Sequence, residues 1–394
     1  MRFSRHPTFC SYVRTPTVKS AHVLGNLAEF HKRLLRWYAR HRRDLPWRTP
    51  PGAPSRARPN PYHVLVSEAM LQQTQVVTVV RFFKRFIRRL PTITHLAKAD
   101  SQEVLKLWQG LGYYSRARNL QATANIVVNR YGSRPPSSVQ QLSQLPGIGP
   151  YTAGAIASLA FGKPAAVVDG NVWRVLCRLD ARAVDPRLAN SRKALWRRAH
   201  QILPHRQVGE FNSALMELGA TVCTKRSPAC HHCPIRSHCC ARARGLTDQI
   251  PRTASRGKSS VQRRCTFCIR RGSSYLIEQR PGSYLIEQRP ASGRWASMWQ
   301  LLTLPANGRS PNMAETARML KLRLSTPRLL ARLRHDLSHR RYEFDVYLCD
   351  AHRTGRVEPR RWVSLEGLKE YPLPRPHVRI AQMLREADKQ GGQR

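Results

Sequence analysis

The sequence is poor in acidic residues. Its 394 residues include 23 Asp and Glu against 68 Lys and Arg, which gives a formal net charge of +45 at pH 7. Residues 1–28 and residues 249–277 contain no acid at all. A chain with this excess repels basic partners and attracts polyanions, and nucleic acid is the leading candidate among them.

Long apolar runs are also missing. The sequence has no run of about 18 apolar residues that could span a membrane, and its first residues lack the apolar segment of a secretion signal. We therefore expect no membrane association, a monomer, and a cytoplasmic, nucleoid-associated location. The Arg, Ser and Thr of residues 1–28 weakly resemble an organelle transit peptide, but we favour a basic, disordered tail.

Cysteine is scarce outside one stretch. The 10 cysteines are too thinly spread for a disulfide scaffold, except in CTKRSPACHHCPIRSHCC at residues 223–240. The pattern C-x6-C-x2-C-x5-C selects Cys223, Cys230, Cys233 and Cys239. Four thiolates in one compact loop favour a 4Fe–4S cluster over zinc, which usually binds two well-separated ligand pairs. Cys240 follows directly, so its side chain should point in a different direction.

The length of the chain favours two domains. The predicted segments, in chain order, are a disordered tail (1–28), a helical domain (29–245), a basic linker (246–264), a domain of strands and helices (265–388) and a short tail (389–394). In the second domain we expect helices near residues 312–324 and 376–388. The sequence therefore predicts an all-α N-terminal domain followed by an α+β domain.

A nine-residue segment occurs twice. SSYLIEQRP at residues 273–281 is followed at once by GSYLIEQRP at residues 282–290. Two copies indicate a small tandem duplication, since a solenoid needs at least three repeats. We expect one copy to lie in the sheet and the other to bulge or extend a loop.

The stretch LPGIGPYTAGAIASLA, residues 145–160, indicates two helices joined by a tight turn. A plain helix–turn–helix would also fit this pattern. However, the amide groups around Gly147 and Gly149 could face a DNA phosphate with no side chain in the way. Because the chain is so basic, we favour a DNA-binding hairpin.

Two carboxylates occur in unusual surroundings. Glu68, in VLVSEAMLQQTQV, shares a helical face with Val64, Leu65 and Leu71. An apolar site favours the protonated acid, which could deliver a proton near neutral pH. Asp169, in VVDGNVWRVLCRLD, could be an ordinary N-cap of the following helix. Even as a cap, it could hold negative charge beside an electron-deficient substrate.

Six features occur in one order over residues 29–239: Trp47-Arg48, SEAMLQQTQV, GLGYYSRARNL, LPGIGPYTAGAI, VDGNV and the four spaced cysteines. Together they resemble the MutY-type adenine DNA glycosylases of the helix–hairpin–helix endonuclease III superfamily. The C-terminal part resembles the MutT-like domain of that family through residues 288–295 and 335–347.

The resemblance implies removal of undamaged adenine mispaired with 8-oxoguanine, or with G, in double-stranded DNA, after the base has flipped out of the duplex. Glu68 would protonate adenine N7, and Asp169 would stabilise the oxocarbenium-like sugar. Asn171 and Tyr151 would help to hold the geometry. Family members that also nick the strand carry a lysine where this chain has Tyr151, so we expect a monofunctional enzyme.

The resemblance also assigns binding residues. Leu45, Trp47 and Arg48 would line the adenine pocket, and Gln73 and Tyr113 would wedge into the duplex around the lesion. The four cysteines would hold the 4Fe–4S cluster, which takes no part in the glycosidic chemistry. Ser338 and His339 would contact 8-oxoguanine, although Leu337 replaces the phenylalanine that usually precedes them.

Three other activities deserve comparison. The stretch NMAETARMLKLRL contains only one glutamate, Glu315, so we expect no magnesium-dependent nucleotide pyrophosphatase. A bifunctional endonuclease III-like glycosylase and lyase is disfavoured by Tyr151 and by the C-terminal domain. A non-catalytic DNA-binding protein with a cluster would not need both Glu68 and Asp169.

Overall fold

The computed structural model describes residues 26–50, 52–54, 57–185, 187–252, 260–271, 282–306, 318, 322–337, 340–354 and 360–391. The chain divides into two compact units. The first comprises Met1–Arg42 and Ala166–Thr253, and the second comprises Arg43–Ala165 and Ala254–Arg394.

Helices dominate the chain up to residue 243. In chain order they are α1 (Leu27–His41), α2 (Pro61–Leu71), α3 (Val76–Arg89), α4 (Ile93–Lys98), α5 (Ser101–Trp108), α6 (Ser115–Arg130), α7 (Val139–Ser143), α8 (Pro150–Ala155), α9 (Gly170–Leu179), α10 (Ala189–Gln201), α11 (Val208–Thr221) and α12 (Cys240–Ala243). A π-helical segment, Ile156–Ala160, continues α8, and short 3-10 turns occupy Cys230–His232 and Arg236–His238.

Helical periodicity explains why these segments fold as they do. In α3, Val79, Phe82, Phe83 and Phe86 are buried and recur at the spacing of one helical face, while arginines occupy the other side. In α1 the buried residues are Phe30, Leu34 and Tyr38. The ring of Phe30 packs edge-on against Phe211 of α11, with 6.2 Å between ring centroids. The all-α prediction for this region is therefore confirmed.

The C-terminal region is built on a sheet. Its strands are β1 (Ser260–Arg271), β2 (Ser283–Gln288), β3 (Trp299–Pro305), β4 (Leu322–Leu324), β5 (Arg328–Asp336), β6 (Arg340–Thr354) and β7 (Arg360–Ser364), followed by a 3-10 turn (Gly367–Glu370) and helix α13 (Arg375–Gly391). The strand order is β4-β6-β1-β3-β2-β7. β5 also pairs with β6, on the edge opposite β1 and at residues of β6 that precede those paired with β4. β1 runs parallel to β6, with Phe267 opposite Tyr347. This mixture of strands and helices confirms the α+β prediction.

Within the second unit, the turn before β3 packs on the helical core. Met298 is fully buried in the same apolar cluster as Trp108 and Leu120. The side chain of Gln102 donates to the carbonyl oxygen of Ser297 at 3.1 Å and accepts from the indole nitrogen of Trp299 at 3.1 Å. These contacts explain why helices and sheet belong to one unit.

Some boundaries differ from the sequence prediction. β1 begins at Ser260, so the last residues of the predicted linker already belong to the sheet. The predicted helix at residues 312–324 is wrong at its end, because Leu322–Leu324 is an edge strand that pairs with β6. The second copy of the duplicated segment forms β2, and the first copy lies outside the described residues. In the described part of the chain, every helix is too short or too polar to cross a membrane.

Candidate functional site

The helix that carries Glu68 is buried on nearly every side. Its N-cap is Asn60, whose side-chain oxygen accepts from the Tyr62 amide at 2.9 Å, and Pro61 is its first residue. The side chain of Glu68 is 4% exposed, and its neighbours Val64 and Leu65 are fully apolar and buried. A carboxyl group is seldom buried, because its removal from water is costly, so a nearly fully buried glutamate marks a candidate functional position. The predicted apolar surroundings of Glu68 are therefore observed.

The predicted hairpin packs against α2. Its turn has Gly147 at φ +74°, and a side chain there would come within 2.8 Å of Asn119. Gly149 precedes α8, and a Cβ atom at this position would meet no other atom within 4 Å. Both glycines are exposed. The turn therefore needs glycine at Gly147 for its conformation and presents open backbone at Gly149. Tyr151, one turn further on, is half-buried.

Leu45, Trp47 and Arg48, the predicted pocket residues, lie in different environments. Leu45 and Trp47 are each 7% exposed and belong to the apolar cluster that also contains Val64 and Leu65. The indole of Trp47 packs edge-on against the ring of Phe83 at 5.3 Å. Arg48 is half-buried and donates to the carbonyl oxygen of Arg43 at 3.0 Å. Leu45 and Trp47, together with Val64 and Leu65 of α2, form an apolar wall, and Arg48 is next to Trp47 in the sequence.

Gln73 and Tyr113 both have left-handed backbones. Gln73 has φ +59° and Tyr113 has φ +48°, a region that non-glycine residues rarely adopt. Both side chains are exposed, Tyr113 by 45%. Residues held in this conformation cluster at functional sites, where the surrounding structure compensates the cost.

Asp169 is a half-buried N-cap. Its Oδ1 accepts from the amides of Asn171 at 2.9 Å and Val172 at 2.7 Å, and its Oδ2 accepts from the side-chain amide of Asn171 at 2.9 Å. Burial raises the pKa of Asp169 above its usual value, while these hydrogen bonds act in the opposite direction. The capping interpretation from the sequence is therefore correct, but the cap also holds a desolvated carboxylate.

A chain of hydrogen bonds leads from Asp169 to the cysteine loop. Arg174 donates to the side-chain oxygen of Asn171 at 2.9 Å and to the carbonyl oxygen of Gly219 at 2.6 Å. Its Nε donates to the carbonyl oxygen of Cys223 at 2.8 Å. Gly219 allows α9 and α11 to approach closely, because a Cβ atom there would lie 2.6 Å from that of Asn171.

The four spaced cysteines share one half-buried site. Burial, together with the nearby thiols of Cys223, Cys239 and Cys230, raises the pKa of Cys233 to about 12. Burial likewise raises the pKa of Cys239. Thiolates this close would repel one another unless a metal centre neutralised them, so the donor set fits an iron–sulfur cluster. Among the described residues, no group of three or more His, Cys, Asp or Glu has the geometry to hold a single metal ion.

A buried arginine anchors the loop around these cysteines. Arg178 is 2% exposed and donates to the sulfur of Cys223 at 3.3 Å. It also donates to the carbonyl oxygens of Thr224 at 2.7 Å, Lys225 at 3.3 Å and Ile250 at 2.9 Å. Three basic side chains of this loop are exposed to solvent: Lys225, Arg226 and Arg236.

Ser338 and His339 lie outside the described residues. Leu337, which precedes them, packs half-buried against the apolar cluster of the sheet. Glu315 also lies outside the described residues.

Three arginines were not singled out from the sequence: Arg116, Arg174 and Arg178. Arg174 and Arg178 do carry a signal, since with Asn171 they form a polar stripe along an otherwise apolar helix. Arg116 lies within the motif GLGYYSRARNL, but nothing local distinguishes it from Arg118. Only its contacts, most of them with residues more than 40 positions away, mark it as important.

Comparison with known proteins finds two family models that each match part of the chain. The model of the HhH-GPD superfamily of base excision DNA repair proteins matches residues 66–201, and the NUDIX domain model matches residues 267–383. The first match contains Glu68, the hairpin and Asp169. The second contains most of the sheet and α13. The resemblance deduced from the motifs is therefore confirmed.

Several curated relatives are named adenine DNA glycosylase. They include proteins of Rattus norvegicus (44% identical over 265 residues, 65% of this chain and 51% of the relative), Homo sapiens (46% over 253 residues, 63% and 46%) and Mycobacterium tuberculosis strain CDC 1551 / Oshkosh (43% over 207 residues, 51% and 64%). The aligned region spans about half the length of the rat and human relatives.

Proposed function

We propose that this chain is an adenine DNA glycosylase, because the model of the HhH-GPD superfamily of base excision DNA repair proteins matches residues 66–201, which include Glu68 and Asp169. It hydrolyses the N-glycosidic bond of adenine mispaired with 8-oxoguanine or guanine in double-stranded DNA. The observation that carries the proposal is the buried carboxyl of Glu68, 4% exposed on a helix packed against the hairpin.

Glu68 is the general acid. Adenine leaves slowly as an anion, and protonation at N7 converts it into a neutral leaving group. A carboxylic acid held beside the base and away from bulk water can deliver this proton directly to N7. The buried position of Glu68 on α2 supports this role.

Asp169 stabilises positive charge. Departure of the base leaves an oxocarbenium-like sugar, and a carboxylate beside it lowers the energy of that state. The amides of Asn171 and Val172 keep the carboxylate oriented, and the side chain of Asn171 holds its second oxygen. Arg174 in turn fixes Asn171, so the cap is rigid before substrate binds.

The enzyme is monofunctional. A lyase that nicks the strand forms a Schiff base with a lysine amine, and the hairpin has Tyr151 at that position. A phenol cannot form an imine. The product is therefore an abasic site, and we assign to the hydroxyl of the half-buried residue Tyr151 a role in orienting the substrate or a water molecule.

The DNA is held mainly through its backbone. The open turn at Gly147 and Gly149 receives a phosphate, and the exposed basic loop around the cysteines adds electrostatic attraction. Gln73 and Tyr113 enter the duplex at the mispair and replace the flipped adenine in the stack. The adenine then rests against the apolar wall that contains Leu45 and Trp47, with Arg48 at its edge.

The 4Fe–4S cluster is held by Cys223, Cys230, Cys233 and Cys239. When bound, it neutralises four thiolates and fixes the loop between them, and it takes no part in breaking the glycosidic bond. The loop then presents Lys225, Arg226 and Arg236 to phosphates.

The NUDIX domain recognises the base opposite the adenine. Ser338 and His339 are the proposed contacts to 8-oxoguanine. Leu337 packs against the sheet cluster and supplies no aromatic ring. Recognition of 8-oxoguanine in this chain therefore rests on hydrogen bonds from Ser338 and His339, without a stacking residue at position 337.

The test is an excision assay on a duplex with one 8-oxoguanine:A pair. We expect a strand break at the adenine after alkali treatment and an intact strand without it. Glu68→Gln should bind the duplex but lose excision, because the amide cannot donate the proton. Glu103→Gln is the matched control and should keep wild-type rates. Glu103 lies on α5 and forms a surface ion pair with Arg89 of α3.

Two results would favour the alternatives. Breakage without alkali, with a borohydride-trapped adduct, would indicate a bifunctional endonuclease III-like enzyme. A wild-type protein that binds the duplex but does not excise adenine would indicate a non-catalytic DNA-binding protein. An active Glu68→Gln variant would remove Glu68 as the acid.

A further inference from the structure

Arg116, on the first turn of α6, makes an unusual number of hydrogen bonds. It is 8% exposed, although arginine is seldom buried without a carboxylate partner. Its six acceptors are the carbonyl oxygens of Ala69 (2.9 Å), Met70 (2.8 Å), Gln72 (2.5 Å), Leu111 (3.3 Å) and Gly112 (3.0 Å), and the hydroxyl of Thr74 (3.2 Å). Five of these six are backbone groups.

The acceptors belong to two separate segments. Nη1 serves the C-terminal end of α2, where Ala69, Met70 and Gln72 would otherwise leave unpaired carbonyl groups. Nη2 serves the turn before α6 through Leu111 and Gly112. One rigid guanidinium therefore joins two loops that are about 40 residues apart in the sequence.

These two loops carry Gln73 and Tyr113. Gln73 lies between two of the acceptor residues, and Tyr113 directly follows Gly112. Both have left-handed backbones, a conformation that costs free energy and persists only where the surroundings enforce it. The guanidinium carbon also lies 5.6 Å from the centre of the Tyr113 ring and 5.5 Å from that of Trp108. Arg116 thus contacts the backbone beside both residues and the ring of one.

The charge of Arg116 persists at neutral pH. Burial lowers its pKa to about 10, which leaves the guanidinium protonated under physiological conditions. Hydrogen bonds from a charged donor in a low-dielectric site are stronger than neutral ones. Arg116 therefore links the two loops in the free protein as well.

We propose that Arg116 is a positioning residue that holds Gln73 and Tyr113 in one register, so that both enter the duplex together and set mispair selectivity. The proposal rests on the proposed function, in which these two residues wedge into DNA. Arg116 itself touches neither the substrate nor the reacting atoms.

Lysine cannot replace this guanidinium. Its single nitrogen has three donors at one point, so it can serve at most three of the six acceptors. Arg116→Lys keeps the charge but removes at least half of the hydrogen bonds that link the two loops. Arg130→Lys is the matched control, because Arg130 is exposed at the last residue of the same helix.

The measured quantity is the ratio of affinities for two duplexes. One contains 8-oxoguanine opposite an uncleavable 2′-fluoro-adenosine, and the other is fully paired. We expect Arg116→Lys to lower this ratio about tenfold, the range of coupling seen between contacting residues. Affinity for the paired duplex should stay within about twofold, since the net charge is unchanged. Arg130→Lys should change neither.

A double-mutant cycle separates positioning from general destabilisation. In a Gln73→Ala, Tyr113→Ala background, Arg116→Lys should lower the ratio no further, because nothing remains to be positioned. An equal loss in both backgrounds would overturn the proposal, and so would an equal loss of affinity for both duplexes.

A milder variant covers the case in which Arg116→Lys does not fold. Thr74→Val removes one acceptor of the guanidinium and leaves Arg116 in place. It should lower the selectivity ratio a few-fold in wild type and not at all in the doubly substituted background. An unchanged ratio in wild type would overturn the proposal.

The wild-type protein distinguishes the two levels of the argument. A wild type that neither excises adenine nor prefers the mispaired duplex overturns the proposed function. A wild type that does both, together with unaffected Arg116 and Thr74 variants, overturns only the role of Arg116.

Discussion

Replacement of Arg178 tests how the cysteine loop is held in place. Arg178→Met is the variant to make. The guanidinium is 2% exposed and donates to carbonyl oxygens of Thr224, Lys225 and Ile250 and to the sulfur of Cys223. Methionine has a similar length and fills the apolar part of the space. The substitution therefore removes the hydrogen bonds with little loss of packing.

The expected cost follows from the shorter bonds. Those to Thr224 at 2.7 Å and Ile250 at 2.9 Å have good lengths, and a hydrogen bond to a charged group contributes about 1.5–3 kcal/mol. The contacts at 3.3 Å add less. Since Arg178→Met leaves these buried carbonyls without a donor, we expect a loss of at least about 3 kcal/mol in the free energy of unfolding.

The assay is urea unfolding followed by helical circular dichroism, with the visible absorbance of the cluster recorded in parallel. Arg182→Met is the control, because Arg182 is 37% exposed and pairs with Asp180 at 3.1 Å. This ion pair contributes less than about 1 kcal/mol, because Arg182 is more than a third exposed and Asp180 keeps its second partner, Arg198, in the variant. We expect Arg178→Met to lose the cluster at lower urea than Arg182→Met.

The functional consequence should be confined to binding. A loosened loop presents Lys225 and Arg226 poorly, so affinity for DNA should fall, whereas the excision rate of bound duplex should not. If Arg178→Met is no less stable than Arg182→Met, the loop does not depend on this guanidinium. A selective loss of excision rate would also contradict the reasoning.

The remaining predictions concern Asp169 and two cysteines. Burial raises the pKa of Asp169, so the folded state disfavours its ionised form and the stability falls as pH rises from the unfolded pKa to the folded one. Asp169→Asn keeps the backbone cap but cannot accept from the side chain of Asn171 at the position of Oδ2. Because the ionised form is removed, the melting temperature relative to wild type should be higher at pH 7 than at about pH 3, and excision should be lost; a relative melting temperature that is the same at both pH values would refute this. Cys239→Ser should reduce iron content and DNA affinity, whereas Cys240→Ser should reduce neither, and the opposite result would exchange the fourth ligand.

Local patterns in the sequence determined much of the helical region. The buried face of α3 and the apolar residues of α1 follow from their spacing, because a helix brings every third and fourth residue to one side. Glu68 was found because a charge among apolar neighbours is conspicuous, and the cysteines because four ligands lie within one short loop. Such signals need no knowledge of the fold.

Longer-range pairing limited the prediction in the C-terminal domain. The segment at residues 322–324 was assigned to a helix, yet β6 is long enough to pair with it and draws it into the sheet. β1 likewise extends further towards the N-terminus, because Ser260 pairs with Arg340. Partner strands decide such ends, and the residues of the strand itself carry little of that information.

The sequence by itself determined which residues we propose for the chemistry: Glu68, Asp169, Tyr151 and the cysteine loop. Only the tertiary structure decided what holds them. Arg116, Arg174 and Arg178 find most of their acceptors on backbone groups more than 40 residues away. A carbonyl oxygen is the same in every residue, so no sequence pattern announces such a bond, and only the folded chain brings donor and acceptor together.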